Sequence, residues 1–385
     1  MNRNQQQLNQ SISLYQGYAL VMSTLIGVGV LQFQRGIVQE AGPNGVWTIL
    51  IGGLTPLAEV WLVTLLMKRF PGKNIVQLTR DLLGTDKNPR LGTWLSLPFL
   101  GALSFFWLVA TAIVARTFGE VLIGAILPMT PMEVIIGTLI FSATFVVVQQ
   151  VHIVARFCEF LLPVLFFPIT ILLLTLVQGV ELENFLPLFE LNWKQVLNSV
   201  LSSSFVFAGI SVLYIFMGYY QQPKQAMKPH LLAVLTVIFG YWVTLATSIG
   251  VFGPQELTVM MWPTLDLVKQ AEVPGQLLSR LESPILSIWV VAVFTTLVTI
   301  FASFVDLGVT LFNLKERHRK WLAWGAAPVI YGLAFWPSDV EELLKWGDRG
   351  GWFGFVVSFS VALILLGIAW VRGRKGRKSD ASSSA

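Results

Sequence analysis

Ile26-Gly27-Val28-Gly29-Val30-Leu31 sits inside an apolar run covering residues 12–34. An apolar run of about 20 residues makes a helix long enough to cross a hydrocarbon core of about 30 Å. Two glycines in its middle weaken that helix and leave backbone polar groups free. Unwound backbone at bilayer depth persists only where it is buried in protein or lines a wet cavity. Free amides at such a break, helped by the half-helix dipole, suit a carboxylate, and free carbonyls suit an ammonium or a cation. The same glycines also fit plain close packing of helices through small residues.

Outward from this stretch, comparable apolar runs recur at 45–67, 94–127, 132–150, 157–178, 196–219, 230–253, 283–312, 321–337 and 352–371. The chain is 55% hydrophobic and 12% charged, with mean hydropathy +0.69. A soluble domain carries about a quarter charged residues, so much of this surface must face lipid. Solid apolar runs disfavour a β-barrel, whose strands alternate over about ten residues. The 94–127 run is too long for one perpendicular span, so it is expected to tilt or to overhang the membrane.

Charge placement orients the runs. With the N-terminus cytoplasmic, about nineteen of the 26 Lys and Arg residues fall in cytoplasmic segments, and Arg116 falls within the third run. Arg35, Lys194, Lys269, Arg280, Lys345 and Arg349 fall outside. This bias follows the positive-inside rule and predicts an even number of spans with both termini inside. It leaves no basic stripe for nucleic acid. Ten spans divide into five and five, and two such halves have opposite orientation. The pattern predicts an inverted repeat with its site between the first helices of each half.

The domain reading is a cytoplasmic segment at 1–11, a transmembrane domain at 12–371 and a basic, Ser-rich cytoplasmic tail at 372–385. The tail is expected to be disordered and drawn to anionic membrane lipid. The first span is expected to act as an uncleaved insertion signal. Outside segments 181–195 and 253–281 mix apolar and acidic residues and are expected to lie along the interface as short amphipathic helices.

The sixth run carries Ser202-Ser203-Ser204-Phe205-Val206-Phe207-Ala208-Gly209-Ile210-Ser211, a cluster of small and hydroxylated residues. It predicts a second break opposite the first, although serines bonded back to their own helix would also account for it. Ionisable residues inside spans are costly and therefore functional candidates. Glu59 is expected to be a buried carboxyl that either couples protons or steadies the bundle. Arg116 and Glu120, one turn apart, are expected to pair and line an outer vestibule. Asp306 lies in the cytoplasmic half of the eighth run. Thr299 and Ser303, one turn apart there, are weak sodium-site candidates.

Catalytic readings lack parts. His152, His230 and His318 fall in segments read as inside loops, without metal-ligand spacing. No GxxxxGK[ST] loop occurs, so no cofactor is expected. Cys158 reads as a small buried apolar side chain. Lys315-Glu316-Arg317-His318-Arg319-Lys320 reads as a topology anchor.

Several strings together resemble a known family. Ile26-Gly27-Val28-Gly29-Val30-Leu31 is similar to the first-helix break of permeases in the amino acid–polyamine–organocation superfamily. Lys68-Arg69-Phe70-Pro71-Gly72-Lys73, Ala155-Arg156-Phe157-Cys158-Glu159-Phe160 with Pro163, and Asn184-Phe185-Leu186-Pro187 narrow the match. Gln222-Pro223-Lys224-Gln225-Ala226 and Arg280-Leu281-Glu282-Ser283 complete it. From about residue 10 to 370 the chain resembles the B-subunit family of spore germination receptors, the endospore germination permeases.

The resemblance implies an all-α, ten-helix, leucine-transporter-like fold with discontinuous helices 1 and 6, in the inner membrane of the spore or the cell membrane of an endospore former. It implies partners: a receptor A subunit, a lipoprotein C subunit and a small germinant, often an amino acid. Gly27, Val28 and Gly29 with Ser204, Phe207 and Gly209 would frame that ligand. Related permeases often carry an acid where Ser211 stands here, so contacts that need that acid do not transfer. A sensing receptor subunit and an amino-acid permease working by alternating access, with or without a coupling ion, would both need this pocket.

Overall fold

The computed structural model describes residues 11–84, 89–176, 179–190, 192–269 and 282–373. The expectations for residues 1–10, for 374–385, for 270–281 and for Arg280 and Leu281 lie outside the described residues. Among the described residues every regular element is helical and none is a β-strand.

Helix α1 (Leu14–Leu25) opens with a capping box: Gln16 N donates to Ser13 Oγ at 3.1 Å, and Ser13 N donates to Gln16 Oε1 at 2.9 Å. Two backbone donors that the first turn cannot pair are thereby satisfied. The helix stops at Ile26, a short 3-10 turn spans Val28–Leu31, and α2 (Phe33–Ala41) continues. The first run is thus broken where the glycines predict. Its second half runs past residue 34 because Arg35, Gln39 and Glu40 interleave with buried Phe33, Gln34, Ile37, Val38 and Ala41. An amphipathic helix is invisible to a purely apolar run.

Helices α3 (Gly45–Gly52) and α4 (Leu54–Met67) meet at Gly53, which keeps helical angles. The connection after α4 folds into α5 (Ile75–Leu83), capped by Asn74 and buried through Ile75, Val76, Leu78 and Leu82. Helix α6 (Pro89–Ala125) has 37 residues, about 55 Å at 1.5 Å per residue, too long for a perpendicular crossing of a core about 30 Å thick. Helices α7 (Met132–Val147) and α8 (Val151–Leu176) turn back on one another, bent by 119°.

The sixth run is broken too. Helix α9 (Trp193–Ser202) gives way to 3-10 turns at Ser204–Phe207 and Ile210–Val212, then α10 (Leu213–Phe216) and a last turn at Met217–Tyr219. Helix α11 (Met227–Leu257) kinks at Gly253, whose φ of +74° suits glycine. Then come α12 (Pro263–Lys269), α13 (Glu282–Leu311), α14 (Arg319–Ala334) and α15 (Val340–Val371).

Three expectations change here. Helix α12 is buried through Pro263, Thr264, Leu265, Leu267 and Val268 rather than lying on the interface. The 181–195 segment forms one 3-10 turn, Leu182–Phe185, before α9 begins. Helix α15 starts at Val340, not at 352, because Asp339 caps it and Lys345 pairs with Glu341 at 2.8 Å. Its first turns are a polar overhang.

Helix α1 packs on α8, α11 and α13, and α6 packs on α5, α13 and α15. Residues 33–67, 91–125, 227–257, 285–311 and 340–371 are long and apolar enough to cross a membrane. Exposed Trp94, Phe141, Phe145, Phe160 and Leu363 give the bundle a lipid-facing surface. The chain is a multi-pass membrane protein.

Candidate functional site

The two breaks meet. A Cβ on Gly29 would lie 3.2 Å from Val206 Cα, and one on Gly209 would lie 2.7 Å from Thr24 Cγ2 and 3.1 Å from the Thr24 carbonyl oxygen. The glycines therefore let the unwound segments touch, backbone against backbone. Close packing and helix interruption, alternatives in the sequence, hold together in the structure.

Beside this contact lies a cavity of about 300 Å³. Thr24, Leu25, Gly27 and Gly29 form one side, and Val206, Ala208 and Gly209 form the other. Helix α13 adds Thr296 and Ile300, and α6 adds Phe105, Phe106, Val109, Ala110, Ile113 and Val114. Helix α15 closes it with Trp346, Arg349, Gly350 and Phe353. A second chamber of about 270 Å³ shares Gly29 and Val206 and is lined by Gln32, Arg35, Gln39, Glu341, Lys345 and Asp348 among others. It is polar where the first is apolar, and it lies at the end read as outside.

The carbonyls expected to be free at the first break have partners. Thr296 Oγ1 donates to Ser23 O at 2.8 Å and reaches Thr24 O at 3.2 Å. Tyr241 OH donates to Leu25 O, and Thr264 Oγ1 donates to Val30 O at 2.6 Å. Hydroxyls from α13, α11 and α12 thus satisfy carbonyls that the break leaves without donors from their own helix. Nothing in the apolar pattern marks Tyr241, Thr264 or Thr296 for this role.

The sodium candidates are engaged with protein as well. Thr24 Oγ1 lies 3.1 Å from Thr299 Oγ1, which donates to the carbonyls of Thr295 and Thr296 at 3.0 and 2.9 Å. Ser303 Oγ donates to Thr299 O at 2.9 Å. Bonds back to the same helix are the ordinary resting state of such side chains.

Residues 11–342 match the profile of the family described as spore germination protein. The chain belongs to that family. It is 24% identical to spore germination protein B2 of Bacillus subtilis (strain 168), covering 95% of this chain and 97% of that one. Spore germination protein A2 of the same organism is 25% identical, covering 96% and 99%. Spore germination protein GerLB of Bacillus cereus is 24% identical, covering 94% of each. Among solved structures, MhsT in complex with L-phenylalanine superposes with a TM-score of 0.63 at 13% identity, covering 96% of this chain and 92% of that one. This likeness shows the fold, leucine-transporter-like as the family resemblance implies.

In this spore germination protein, Gly27, Gly29 and Gly209 line the cavity. The backbones of Val28 and Ser204 lie in the facing turns, and their side chains lie outside the described structure. Phe207 is not on the cavity wall; it turns edge-on to Tyr241, ring centroids 5.6 Å apart. A 3-10 turn of three residues per repeat points it away from its neighbours Val206 and Ala208, which do line the wall.

The charged candidates stand elsewhere. Glu59 is buried next to Tyr214 of α10 and Ser358 of α15, off the cavity wall. Arg116 pairs with Glu120 at 2.8 Å, donates to Ala334 O at 3.4 Å and sits over the Phe335 ring at 5.5 Å. It ties α6 to the end of α14.

Asp306 forms a buried ion pair with Arg319 and accepts from Tyr219 OH at 3.1 Å. Arg319 is therefore no topology anchor; it stands beside three other cations, Lys315, Arg317 and Lys320, and the sequence does not say which of the four turns inward. His230 is not in a loop either. Buried in α11, it shares hydrogen bonds with Thr64 Oγ1 and Tyr220 OH, each at 2.9 Å.

Proposed function

We propose that this chain is the membrane-embedded, ligand-binding subunit of a spore germinant receptor. The observation that carries the reading is the meeting of two interrupted helices beside a cavity of about 300 Å³. That volume is at the lower end of the range for small-molecule sites, which fits a germinant the size of an amino acid. Gly27, Val28, Gly29, Ser204 and Gly209 frame it, and Phe207 supports it from behind through Tyr241.

On this reading the chain has ten spans in a 5+5 inverted repeat over 12–371, with both termini on the cytoplasmic side of the spore inner membrane. It works beside an A subunit and a lipoprotein C subunit, and it catalyses no reaction. A bound germinant favours one arrangement of the bundle by its differential affinity for the two states.

The test is a screen of the standard amino acids against the full chain in detergent, read as thermal stabilisation. A ligand in hundredfold excess over its Kd adds about 2.7 kcal/mol to the folded state. Gly29→Leu should abolish the shift while leaving membrane insertion intact; a normal shift in that variant would remove the site. A second reading, amino-acid permease, is favoured by the chamber beyond the cavity together with the closed opposite end. Net uptake into proteoliposomes would select it, and binding without uptake would select the receptor.

A further inference from the structure

Helix α15 supplies a cavity wall from residues that the apolar pattern had placed in an outside loop. Successive side chains of a helix point about 100° apart. Lys345 and Asp348 accordingly line the outer chamber, whereas Trp346, Arg349 and Phe353 line the inner cavity. Arg349 is the one ionisable side chain among the residues lining that cavity.

The other side-chain polar groups there are already engaged. Thr24 Oγ1 donates to Leu20 O at 2.7 Å, and Thr296 Oγ1 donates to Ser23 O at 2.8 Å. Lys345, one turn away, is paired with Glu341 at 2.8 Å. Among the described residues Arg349 has no carboxylate within ion-pair distance. A guanidinium facing an otherwise apolar hollow lacks a counter-charge, and its planar fork of donors matches a carboxylate in two parallel hydrogen bonds.

We propose that Arg349 anchors a carboxylate of the ligand, and that the ligand is a small carboxylate with an apolar body. The inference rests on the cavity being the germinant site, and it adds the ligand's charge and direction. The carboxylate points to α15 at the mouth of the outer chamber. The body lies against Phe105, Phe106, Val109, Ile113 and Phe353. If the ligand is an amino acid, its ammonium faces the Thr24 carbonyl, which keeps a second lone pair beside its 3.2 Å bond from Thr296. A neutral polyol would offer the guanidinium no opposite charge, and an amine without a carboxylate would be repelled by it.

The experiment measures binding of four matched compounds to the full chain in detergent: L-leucine, 4-methylpentanoate, L-leucinamide and isoamylamine. The native chain should favour the two carboxylates. Arg349→Gln should weaken them roughly ten- to a hundredfold, the usual worth of a hydrogen bond to a charged group, and leave the other two nearly unchanged. Arg349→Lys should recover part of the loss. Arg349 is exposed, so these changes leave core packing alone.

Carboxylate preference that survives Arg349→Gln would overturn the proposal, as would a native preference for leucinamide. Failure of any of these compounds and of all standard amino acids to bind would overturn it too. Binding that persists in Gly29→Leu would instead remove the cavity as the site. Binding lost in Gly29→Leu but equal in Arg349→Gln would keep the cavity and remove Arg349.

Discussion

A methyl group added at residue 27 tests the packing of the first break most directly. The Cβ of Gly27→Ala would lie 2.4 Å from Thr296 Oγ1, 2.8 Å from its Cβ and 2.9 Å from its Cγ2. Contacts that short must open, and Thr296 cannot move without disturbing its bonds to Ser23 O at 2.8 Å and Thr24 O at 3.2 Å. Overpacking in a well-filled core costs about 1–3 kcal/mol, and each weakened buried hydrogen bond adds about 1 kcal/mol. Gly27→Ala should therefore destabilise the chain by about 2–4 kcal/mol. Thr296→Ala alone should cost about 1–3 kcal/mol by leaving the two carbonyls without that donor. It also removes the two atoms at 2.4 and 2.9 Å. The double variant should accordingly be more stable than the sum of the singles by about 1 kcal/mol or more, as expected of residues in contact. Unfolding free energies from a dodecyl sulfate titration in mixed micelles would measure this. Additivity within about 0.5 kcal/mol would refute the contact, and with it the account of how the break is held open.

Asp306→Asn strips Arg319 of its buried partner and leaves it only the exposed Glu316 at 3.2 Å, so it should cost about 3 kcal/mol, the low end for breaking a buried pair, in the same titration, whereas Asp306→Leu with Arg319→Met should cost less. Phe207→Leu should lower stability through lost packing on Tyr241 yet leave ligand affinity unchanged; a large drop in affinity would put Phe207 back on the cavity wall. Glu59 touches no cavity wall, so Glu59→Gln should keep ligand affinity and its pH profile as they are, and an altered profile would restore a coupling role.

The fold was legible because the bilayer imposes one rule on every span: a solid apolar run with its backbone bonded within itself. Both breaks were legible for the converse reason, since Gly27, Gly29 and the 202–211 cluster violate that rule. What stayed hidden is polar structure that pays no visible penalty in sequence. The overhang of α15 reads as a charged loop until Asp339 is seen capping it and Lys345 pairing along it. Arg349 was lost with that overhang. Arg319 was lost because three neighbouring cations, Lys315, Arg317 and Lys320, mask the one side chain that reaches Asp306. Thr296, Thr264 and Tyr241 are ordinary span residues until a broken helix next to them needs donors.

The two ends of the bundle are not equivalent, and that difference bears on how a ligand acts. At the basic end Ile12 N donates to Tyr219 O at 2.8 Å and Gln221 N donates to Ile12 O at 2.9 Å, so the chain before α1 is stitched to the chain after α10. Gly17 of α1 abuts the Tyr220 hydroxyl, which is joined in turn to His230 and Thr64. Tyr219 reaches Asp306 and, through it, Arg319. The inner halves of both broken helices therefore form one unit latched to α4, α11, α13 and α14. Their outer halves border the polar chamber instead. Parting the latch means giving up several buried hydrogen bonds at about 1 kcal/mol each, together with rearrangement around a buried ion pair. A ligand with micromolar affinity has about 8 kcal/mol of total binding free energy, and only the part that differs between the two states can act on the latch. The outer halves are held as well, by Gln39 Nε2 on Thr258 O at 3.2 Å, Asn198 Nδ2 on Glu40 Oε2 at 3.0 Å and the Thr48–Ser199 hydroxyl pair at 2.7 Å, but among the described residues no buried ion pair joins them, so a ligand between the halves meets the weaker resistance there. A sensor whose partners read the outer halves can work with that asymmetry as it stands, whereas a permease must also part the latch in every cycle.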